Sequence, residues 1–271
     1  MNELLHQAVL IAIDTSFEVM RQYKNGFKTE YKKDHSPLTS ADKAAHIIIT
    51  DGLSKFNLPV LSEEGNHLSH TERQKWEKYW IIDPIDGTSG FVKKTDEFSI
   101  CIALVENKKA VLGIIVSPAK NLFYFGAINI GAYKFSLDFQ EWKAYKKAKN
   151  IEEIIEKSIP IPIQKEQENY VFLTSKSYKD ETTKTYIEKQ KLENVTLKEI
   201  SMGSALKFGL LAEGFADEYS RLSPLHFWDI AAGDAILKSA GINIVSSQTN
   251  EEILYTHPNM KIEGFYAKRK A

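Results

Sequence analysis

The segment Trp80-Ile81-Ile82-Asp83-Pro84-Ile85-Asp86-Gly87-Thr88 places two carboxylates directly after a short apolar run. The run is typical of a buried strand, and Pro84 stops it from continuing as a regular ladder because proline has no N–H. Gly87 permits a tight backbone path into the next element. Asp83 and Asp86 raise each other's pKa unless a cation lies between them. The segment therefore predicts either a divalent-metal site, for which oxygen ligands favour Mg2+, or a turn with surface acids.

Two further acidic segments favour the metal site. Ser62-Glu63-Glu64-Gly65 follows the apolar segment Leu58-Pro59-Val60-Leu61, so that acids again stand at a strand end. Asp229 lies in the first turn of a predicted alanine-rich helix, where its charge would also interact favourably with the helix dipole. Binding sites in layered α/β proteins are usually assembled at strand ends. If these acids converge with Asp83 and Asp86, they form a site for two cations.

Hydrophobic periodicity predicts the elements around these motifs. Helices are predicted at 2–24, 41–56, 179–191, 204–213 and 226–240, and strands at 98–105, 110–116, 122–127, 170–174, 195–200, 216–219 and 242–246. Only short turns separate the strands at 98–105, 110–116 and 122–127, so these three imply an antiparallel meander. Helices and strands alternate in the second half of the chain. The predicted fold is therefore a layered α and β sandwich, with an α+β first half and an α/β second half. The charged segment 143–157 is interpreted as an exposed excursion between lobes.

The composition restricts the class of protein. A chain of 271 residues fits one compact unit or two closely packed lobes. The formal net charge of -1 argues against a protein that coats nucleic acid or membranes, because such a protein needs a basic excess. Cys101, the single cysteine, lies in an apolar strand pattern and is predicted to be a buried hydrophobe. The first residues do not resemble a signal peptide and no apolar stretch is long enough to span a bilayer, so we expect a cytoplasmic protein, with peripheral attachment to the inner membrane as an alternative.

The sequence resembles the inositol monophosphatase superfamily over nearly the whole chain, through four motifs in the expected order. They are Ser36-Pro37-Leu38-Thr39-Ser40-Ala41-Asp42, Ser62-Glu63-Glu64, the segment Trp80 to Thr88, and Trp228-Asp229-Ile230-Ala231-Ala232-Gly233. The segments 98–105, 113–119, 203–208 and 212–221 look like the CysQ-type 3′(2′),5′-bisphosphate nucleotidases of that superfamily. The resemblance implies a layered α-β-α-β-α sandwich of the sugar phosphatase type. It also implies an antiparallel sheet in an N-terminal lobe at 1–135 and a mixed sheet in a C-terminal lobe at 136–271.

The resemblance further implies a Mg2+-dependent phosphomonoesterase. It would convert adenosine 3′,5′-bisphosphate, or the form sulfated on its 5′-phosphate, to the 5′-nucleotide and phosphate. The implied metal ligands are Glu63, Asp83, the Ile85 carbonyl, Asp86 and Asp229, with Asp83 bridging two Mg2+ ions. The implied catalytic residues are Asp42, Glu63 and Thr88, with Thr88 orienting a metal-activated water and Asp42 polarising Thr88. Glu64 would either assist in binding a third metal ion or lie next to the metal ligands without binding metal itself.

The same resemblance implies how substrate is bound. The implied substrate-binding residues are Glu63, Ile85, Asp86, Gly87, Thr88, Gly203, Ser204, Lys207, Arg221 and Asp229. The reacting phosphate would rest on the N–H groups of Gly87 and Thr88, where a helix start would favour an anion. Lys207 and Arg221 would contact the phosphate that does not react. Ser89-Gly90 and His226-Phe227 depart from the nucleotidase pattern near the expected substrate mouth, which leaves the exact substrate open.

Two alternatives of different kinds follow from these observations. One is an inositol monophosphatase or a fructose-1,6-bisphosphatase-like sugar phosphatase, which would use the same reaction. The other is a sensor that binds metal and nucleotide with little turnover. The intact set argues against a sensor, because a protein that only binds has no need to orient water; it comprises Glu63, Asp83, Asp86, Thr88 and Asp229. The expected partner is a small nucleotide rather than a nucleic-acid polymer, no integral membrane segment is expected, and a homodimer is left open.

Overall fold

The computed structural model describes residues 1–135, 138–163, 169–176, 180–193 and 196–269. The α-helices in these ranges are α1 (Asn2–Asn25), α2 (Ser40–Ser54), α3 (His70–Arg73), α4 (Thr88–Val92), α5 (Ile151–Ile155), α6 (Glu181–Glu193), α7 (Leu206–Glu213) and α8 (Phe227–Ser239). The strands are β1 (Thr29–Tyr31), β2 (Pro37–Thr39), β3 (Val60–Ser62), β4 (Lys78–Asp86), β5 (Ser99–Glu106), β6 (Lys109–Ser117), β7 (Leu122–Ala127), β8 (Gly131–Phe135), β9 (Ser158–Ile161), β10 (Val171–Ser175), β11 (Lys198–Met202), β12 (Glu218–Tyr219), β13 (Leu225–His226), β14 (Ile244–Ser246), β15 (Lys261–Ile262) and β16 (Phe265–Ala267). The predicted starts at 179 and 195 lie outside the described residues.

A seven-stranded sheet in the order β3-β4-β5-β6-β7-β8-β9 forms the centre of the fold. Its β3–β4 pair is parallel, and the remaining pairs are antiparallel. Strands β5, β6 and β7 confirm the predicted meander. Asn107 and Asn121 take positive φ values of 49° and 56° in its two turns, a backbone conformation that asparagine tolerates better than most residues.

The fold has five layers of helices and sheets, because side chains alternate between the two faces of each strand and both faces of the large sheet are covered by helices. Trp80, Ile102 and Ile114 point from one face of the large sheet into a core shared with α1 and α2. The opposite face packs against α7 and α8. A parallel sheet in the order β11-β10-β12 lies beyond these helices, and Tyr186 of α6 covers its far side, 6.2 Å from the ring of Phe172. Isolated antiparallel bridges pair Glu218 of β12 with Lys268 and Arg221 with Phe265, so both directions of pairing occur in this half of the chain. The predicted α-β-α-β-α order is confirmed.

Helix α8 approaches the large sheet unusually closely. A Cβ atom added to Gly113 of β6 would lie 2.1 Å from the carbonyl oxygen of Ala232. A Cβ atom added to Gly233 would lie 2.2 Å from the ring of Phe208 in α7. Only glycine leaves room for this packing, so α8 is held against β6 and α7 and fixes the position of Asp229 in its first turn.

The prediction that 143–157 is an exposed excursion is wrong. Tyr145, Ile151 and Ile154 are at most 1% exposed and pack into the core shared with α1 and α2. Tyr145 belongs to a 3-10 helix over Phe139–Lys147, in which residues three apart align on one side, so the apolar residues face inward while the lysines face solvent.

Three further predictions concern the chain as a whole. Cys101 is 1% exposed, as predicted. The large sheet runs on to Ile161, past the predicted boundary between 135 and 136, and the division into two lobes stays a prediction. Across the ranges given above, no helix is both long and apolar enough to cross a membrane.

Candidate active site

Three acids predicted as metal ligands come together at one end of the large sheet. Asp83, Asp86 and Asp229 each offer a carboxylate oxygen, and these oxygens all lie within 4.8 Å of one another. The pairing of β4 with β5 shifts between Asp83 and Asp86, at Pro84, which turns both carboxylates toward the same space. Asp229 is oriented by the backbone N–H of His226, which donates to its Oδ2 at 2.9 Å. That these acids bind metal stays a prediction.

The electrostatics of these acids suit a divalent cation. Burial and then the charges of Glu63, Asp86 and Asp229 raise the pKa of Asp83, which is 1% exposed. Burial and then the Asp86 charge raise the pKa of Asp229 to about 7. The Asp83 Oδ1 atom is buried and has no hydrogen-bond partner among the described residues. A buried carboxylate oxygen without a donor, surrounded by other carboxylates, is stabilised well by a hard cation.

Glu63 and Glu64 are paired with a lysine beside this group. The Nζ atom of Lys32 lies 2.8 Å from Glu63 Oε1 and 2.7 Å from Glu64 Oε1. Burial lowers the pKa of Lys32, but the two carboxylates outweigh it and the net pKa is raised. Glu63 is therefore close enough to act on Asp83, and its pairing with Lys32 competes with binding of a metal ion. The sequence interpretation missed Lys32, although the basic segment 28–33 before the first motif was a signal for it.

Thr88 and Asp42 form the predicted hydroxyl–carboxylate pair. Thr88 Oγ1 lies 3.1 Å from Asp42 Oδ1 and 3.0 Å from the carbonyl oxygen of Ile85. The other Asp42 oxygen accepts the backbone N–H of Thr39 at 2.7 Å and also the Thr39 hydroxyl. Burial raises the pKa of Asp42, and the Thr39 donors oppose this shift. The capping box that starts α2 therefore also fixes the carboxylate that faces Thr88.

The turn at Gly87 is enclosed by two other loops. Gly87 has φ 86° and precedes α4, so a helix does begin at Thr88. A Cβ atom at Gly87 would lie 2.8 Å from the Glu97 carbonyl oxygen and 3.4 Å from Ser204 Cβ. Ser204 itself has φ 59°, and the next N–H, that of Ala205, donates to Asp86 Oδ2. The loop that contains Gly203 and Ser204 therefore both borders the turn and orients one of the clustered acids.

Lys207 and Arg221 lie on the C-terminal side of the site. Lys207 is 3% exposed, and its Nζ donates to the carbonyl oxygens of Met202 at 3.2 Å and Ser204 at 2.5 Å. Burial lowers the pKa of Lys207 to about 8, against the opposing charge of Asp86. The Arg221 Nε donates to Ser223 Oγ at 3.0 Å. Contact of either cation with a phosphate stays a prediction.

Three stacked rings border the acids. The rings of His226 and Trp228 are 4.6 Å apart at an interplanar angle of 9°, and the His67 ring lies 5.3 Å from that of Trp228. Burial and the charge of Lys261 lower the pKa of His226. The structure thus places His226, which departs from the nucleotidase pattern, next to Asp229. It also places His67 against Trp228, a contact that the sequence did not indicate.

Comparison with known proteins gives consistent matches along the chain. The family model described as inositol monophosphatase family matches residues 1–268. The chain is 35% identical over 245 residues to the 3′(2′),5′-bisphosphate nucleotidase CysQ of Salmonella typhimurium, covering 89% of each protein. It is 34% identical to the protein of the same name from Buchnera aphidicola, covering 98% of this chain and 93% of that one.

Solved structures give the same grouping. The crystal structure of CysQ from Bacteroides thetaiotaomicron, a bacterial member of the inositol monophosphatase family, superposes with a TM-score of 0.90 at 34% identity. The superposition covers 100% of this chain and 98% of the CysQ chain. The Thermotoga maritima IMPase has a TM-score of 0.71 at 24% identity, covering 96% of this chain and 89% of that one, and therefore shares the fold.

Proposed function

This chain belongs to the inositol monophosphatase family, and we propose that it is a Mg2+-dependent 3′(2′),5′-bisphosphate nucleotidase. Its substrate would be adenosine 3′,5′-bisphosphate or the form sulfated on the 5′-phosphate. The observation that supports this most is the group of Asp83, Asp86 and Asp229 beside the Thr88–Asp42 pair. The CysQ relatives named above, which cover nine-tenths of the chain, favour the nucleotide over other phosphate esters.

The acidic group would hold two Mg2+ ions. Asp83, Asp86 and Asp229 supply the clustered oxygens, and Glu63 and the Ile85 carbonyl complete the proposed ligands. Glu64 would assist a third ion. The bound ions would supply the positive charge that favours ionisation of water and stabilises the departing ribose oxygen. The unpartnered Asp83 Oδ1 is the atom that most needs such a cation.

The protein's own groups would orient the reaction. Asp42, fixed by Thr39, accepts a hydrogen bond from the Thr88 hydroxyl, which leaves a lone pair of the Thr88 oxygen free to accept a hydrogen bond from the attacking water. Glu63 would act as the third catalytic residue, next to that water. The water oxygen forms a bond to phosphorus while the bond between phosphorus and the ribose 3′-oxygen breaks. In the net reaction, the ribose oxygen takes up the proton that the attacking water gives up, and the 5′-nucleotide and inorganic phosphate leave.

Substrate would lie between the Gly87 turn and the C-terminal strand ends. The N–H groups of Gly87 and Thr88 would bind the reacting phosphate, and Gly203 and Ser204 would border the nucleoside. Ile85, Asp86 and Asp229 would contact the substrate through the metal ions. Lys207 and Arg221 would contact the second phosphate. We place the enzyme in the cytoplasm, acting on a small nucleotide, and a homodimer is compatible with this role.

A phosphate-release assay tests the proposal. The wild type is expected to hydrolyse adenosine 3′,5′-bisphosphate faster than inositol 1-phosphate, and only with Mg2+ present. Asp86→Asn should lower turnover at least about a hundredfold, the scale of losing one well-placed electrostatic group. Asp51→Asn, an exposed acid of α2, is the matched control and should leave turnover unchanged.

Each alternative has its own result in this assay. A preference for inositol 1-phosphate would identify the protein as an inositol phosphatase. Nucleotide binding without phosphate release would identify a sensor. A near-normal rate for Asp86→Asn would remove Asp86 from the reaction.

A further inference from the structure

The parallel sheet brings three strand ends to the candidate site. Strand β10 lies between β11 and β12 and runs parallel to both, so their C-terminal ends share one edge. The chain continues from these ends into Lys176, Gly203 and Ser220. This edge faces the acids, because the N–H of Ala205 donates to Asp86 Oδ2. Residues that follow the three strands are therefore placed to contact a bound substrate.

Lys176 is the cation at this edge that is most exposed to solvent. Its backbone N–H donates to the Met202 carbonyl at 3.2 Å, which fixes where the side chain starts. Its Nζ lies 3.2 Å from both carboxylate oxygens of Glu97. The Lys176 side chain is 55% exposed, whereas Lys207 is 3% exposed and bonded to backbone carbonyls. Lys176 can therefore change partners without disturbing the core.

Glu97 connects Lys176 to the Gly87 turn. The backbone carbonyl oxygen of Glu97 would lie 2.8 Å from a Cβ atom added to Gly87. The side-chain Oε2 atom of Glu97 would lie 3.3 Å from a Cβ atom added to Gly203. The Glu97 side chain is 18% exposed, so it is largely enclosed between these two glycines. The carboxylate thus holds the Lys176 ammonium beside the loop of Gly203 and Ser204, which borders the turn that would bind the reacting phosphate.

We propose that Lys176, held by Glu97 in the substrate-free protein, binds the second phosphate of the substrate, the one that is not hydrolysed. This inference rests on the proposed function and adds a residue to its specificity. A phosphate monoester has a charge of roughly −2 at neutral pH, so it attracts the ammonium more strongly than one carboxylate does. The flexible stem of lysine allows the ammonium to move from Glu97 to the phosphate.

Kinetics with two substrates test this inference. Adenosine 3′,5′-bisphosphate and adenosine 3′-monophosphate have the same reacting ester, but only the first has the second phosphate. Lys176→Ala should raise KM for the bisphosphate about tenfold, the scale of one hydrogen bond between charged groups, and leave KM for the monophosphate and both kcat values nearly unchanged. Lys176→Arg should restore most of the loss. Lys189→Ala removes an exposed lysine of α6 and should change neither KM.

A calorimetric titration separates this inference from the proposed function. Adenosine 5′-monophosphate has only the phosphate that does not react, and Lys176→Ala should weaken its binding about tenfold relative to the wild type. Equal affinity in the two proteins, or an equal rise in KM for both substrates, would overturn the role of Lys176 and leave the proposed function standing. A wild type that releases no phosphate from either substrate would overturn the proposed function, and the titration would still decide the role of Lys176.

Discussion

Replacing Asp229 with asparagine is expected to stabilise the metal-free protein. The pKa of Asp229 is raised from its ordinary value of 3.8 to about 7, first by burial and then by Asp86. This shift corresponds to about 4 kcal/mol at 1.36 kcal/mol per pKa unit, the free energy that ionisation of Asp229 costs the folded state. Asp229 keeps some solvent exposure, which screens the penalty, so we expect a gain of about 2 kcal/mol. Asparagine can still accept the N–H of His226.

The sign of the pH dependence follows from the raised pKa. The folded protein favours neutral Asp229, so the wild type loses stability as the pH rises from about 4 to about 7, and the loss is complete above that range. The Asp229→Asn variant does not lose stability in this way. The difference in unfolding free energy between the variant and the wild type should therefore be largest at pH 8 and should vanish near pH 4.

Thermal unfolding with a chelator measures this difference. At pH 8 the Tm of Asp229→Asn should exceed that of the wild type by about 4–8 °C, and Asp51→Asn should match the wild type. Added Mg2+ should reverse the order, because the wild type gains a ligand that the variant holds poorly. A variant that is less stable than the wild type at pH 8 with chelator would refute the reasoning, as would equal stabilisation of both proteins by Mg2+.

Three further substitutions test other parts of the account. Thr88→Val should lower kcat about a hundredfold with unchanged Mg2+ affinity in calorimetry, since we propose that the hydroxyl orients water; a loss of Mg2+ affinity would contradict this role. Lys32→Met should tighten Mg2+ binding about fivefold in the absence of substrate, because Glu63 loses its competing partner, and weaker binding would show that Lys32 assists the site. Gly113→Ala should lower the free energy of unfolding in urea by about 2 kcal/mol, because the new methyl group meets the Ala232 carbonyl; unchanged stability would mean that α8 can shift freely.

The sequence was sufficient for the layered fold and for three of the clustered acids. The apolar run that ends at Asp83 fixes a strand end, and the proline after it forces the irregularity that turns Asp86 toward the same space. The glycines and alanines of α8 allow the close packing that brings Asp229 to that strand end. The strand end and the proline are local features that spacing along the chain indicates, whereas the convergence of Asp229 with Asp83 and Asp86 is what the resemblance to the inositol monophosphatase superfamily implies.

The rest depends on contacts between distant segments. The basic segment 28–33 does not indicate which acids Lys32 pairs with, since the β1–β2 hairpin brings it to Glu63 and Glu64 only in the folded chain. The pair of Lys176 and Glu97 likewise joins the loop before β5 to the segment after β10, and only the folded chain defines how these two lie. The prediction for 143–157 is wrong for a different reason: its many lysines and glutamates suggest an exposed segment, although apolar residues recur at a spacing of three.

Calorimetric titration of the metal-free protein with Mg2+ near pH 7, in two buffers of different ionisation enthalpy, tests the central claim most directly. Raised carboxyl pKa values mean that some of these acids are protonated without metal, so binding should release protons and the apparent heat should differ between the buffers. Asp83→Asn should lose most of the binding. The claim would be contradicted by a wild type that binds no Mg2+, or by an Asp83→Asn variant that binds it as tightly and releases as many protons.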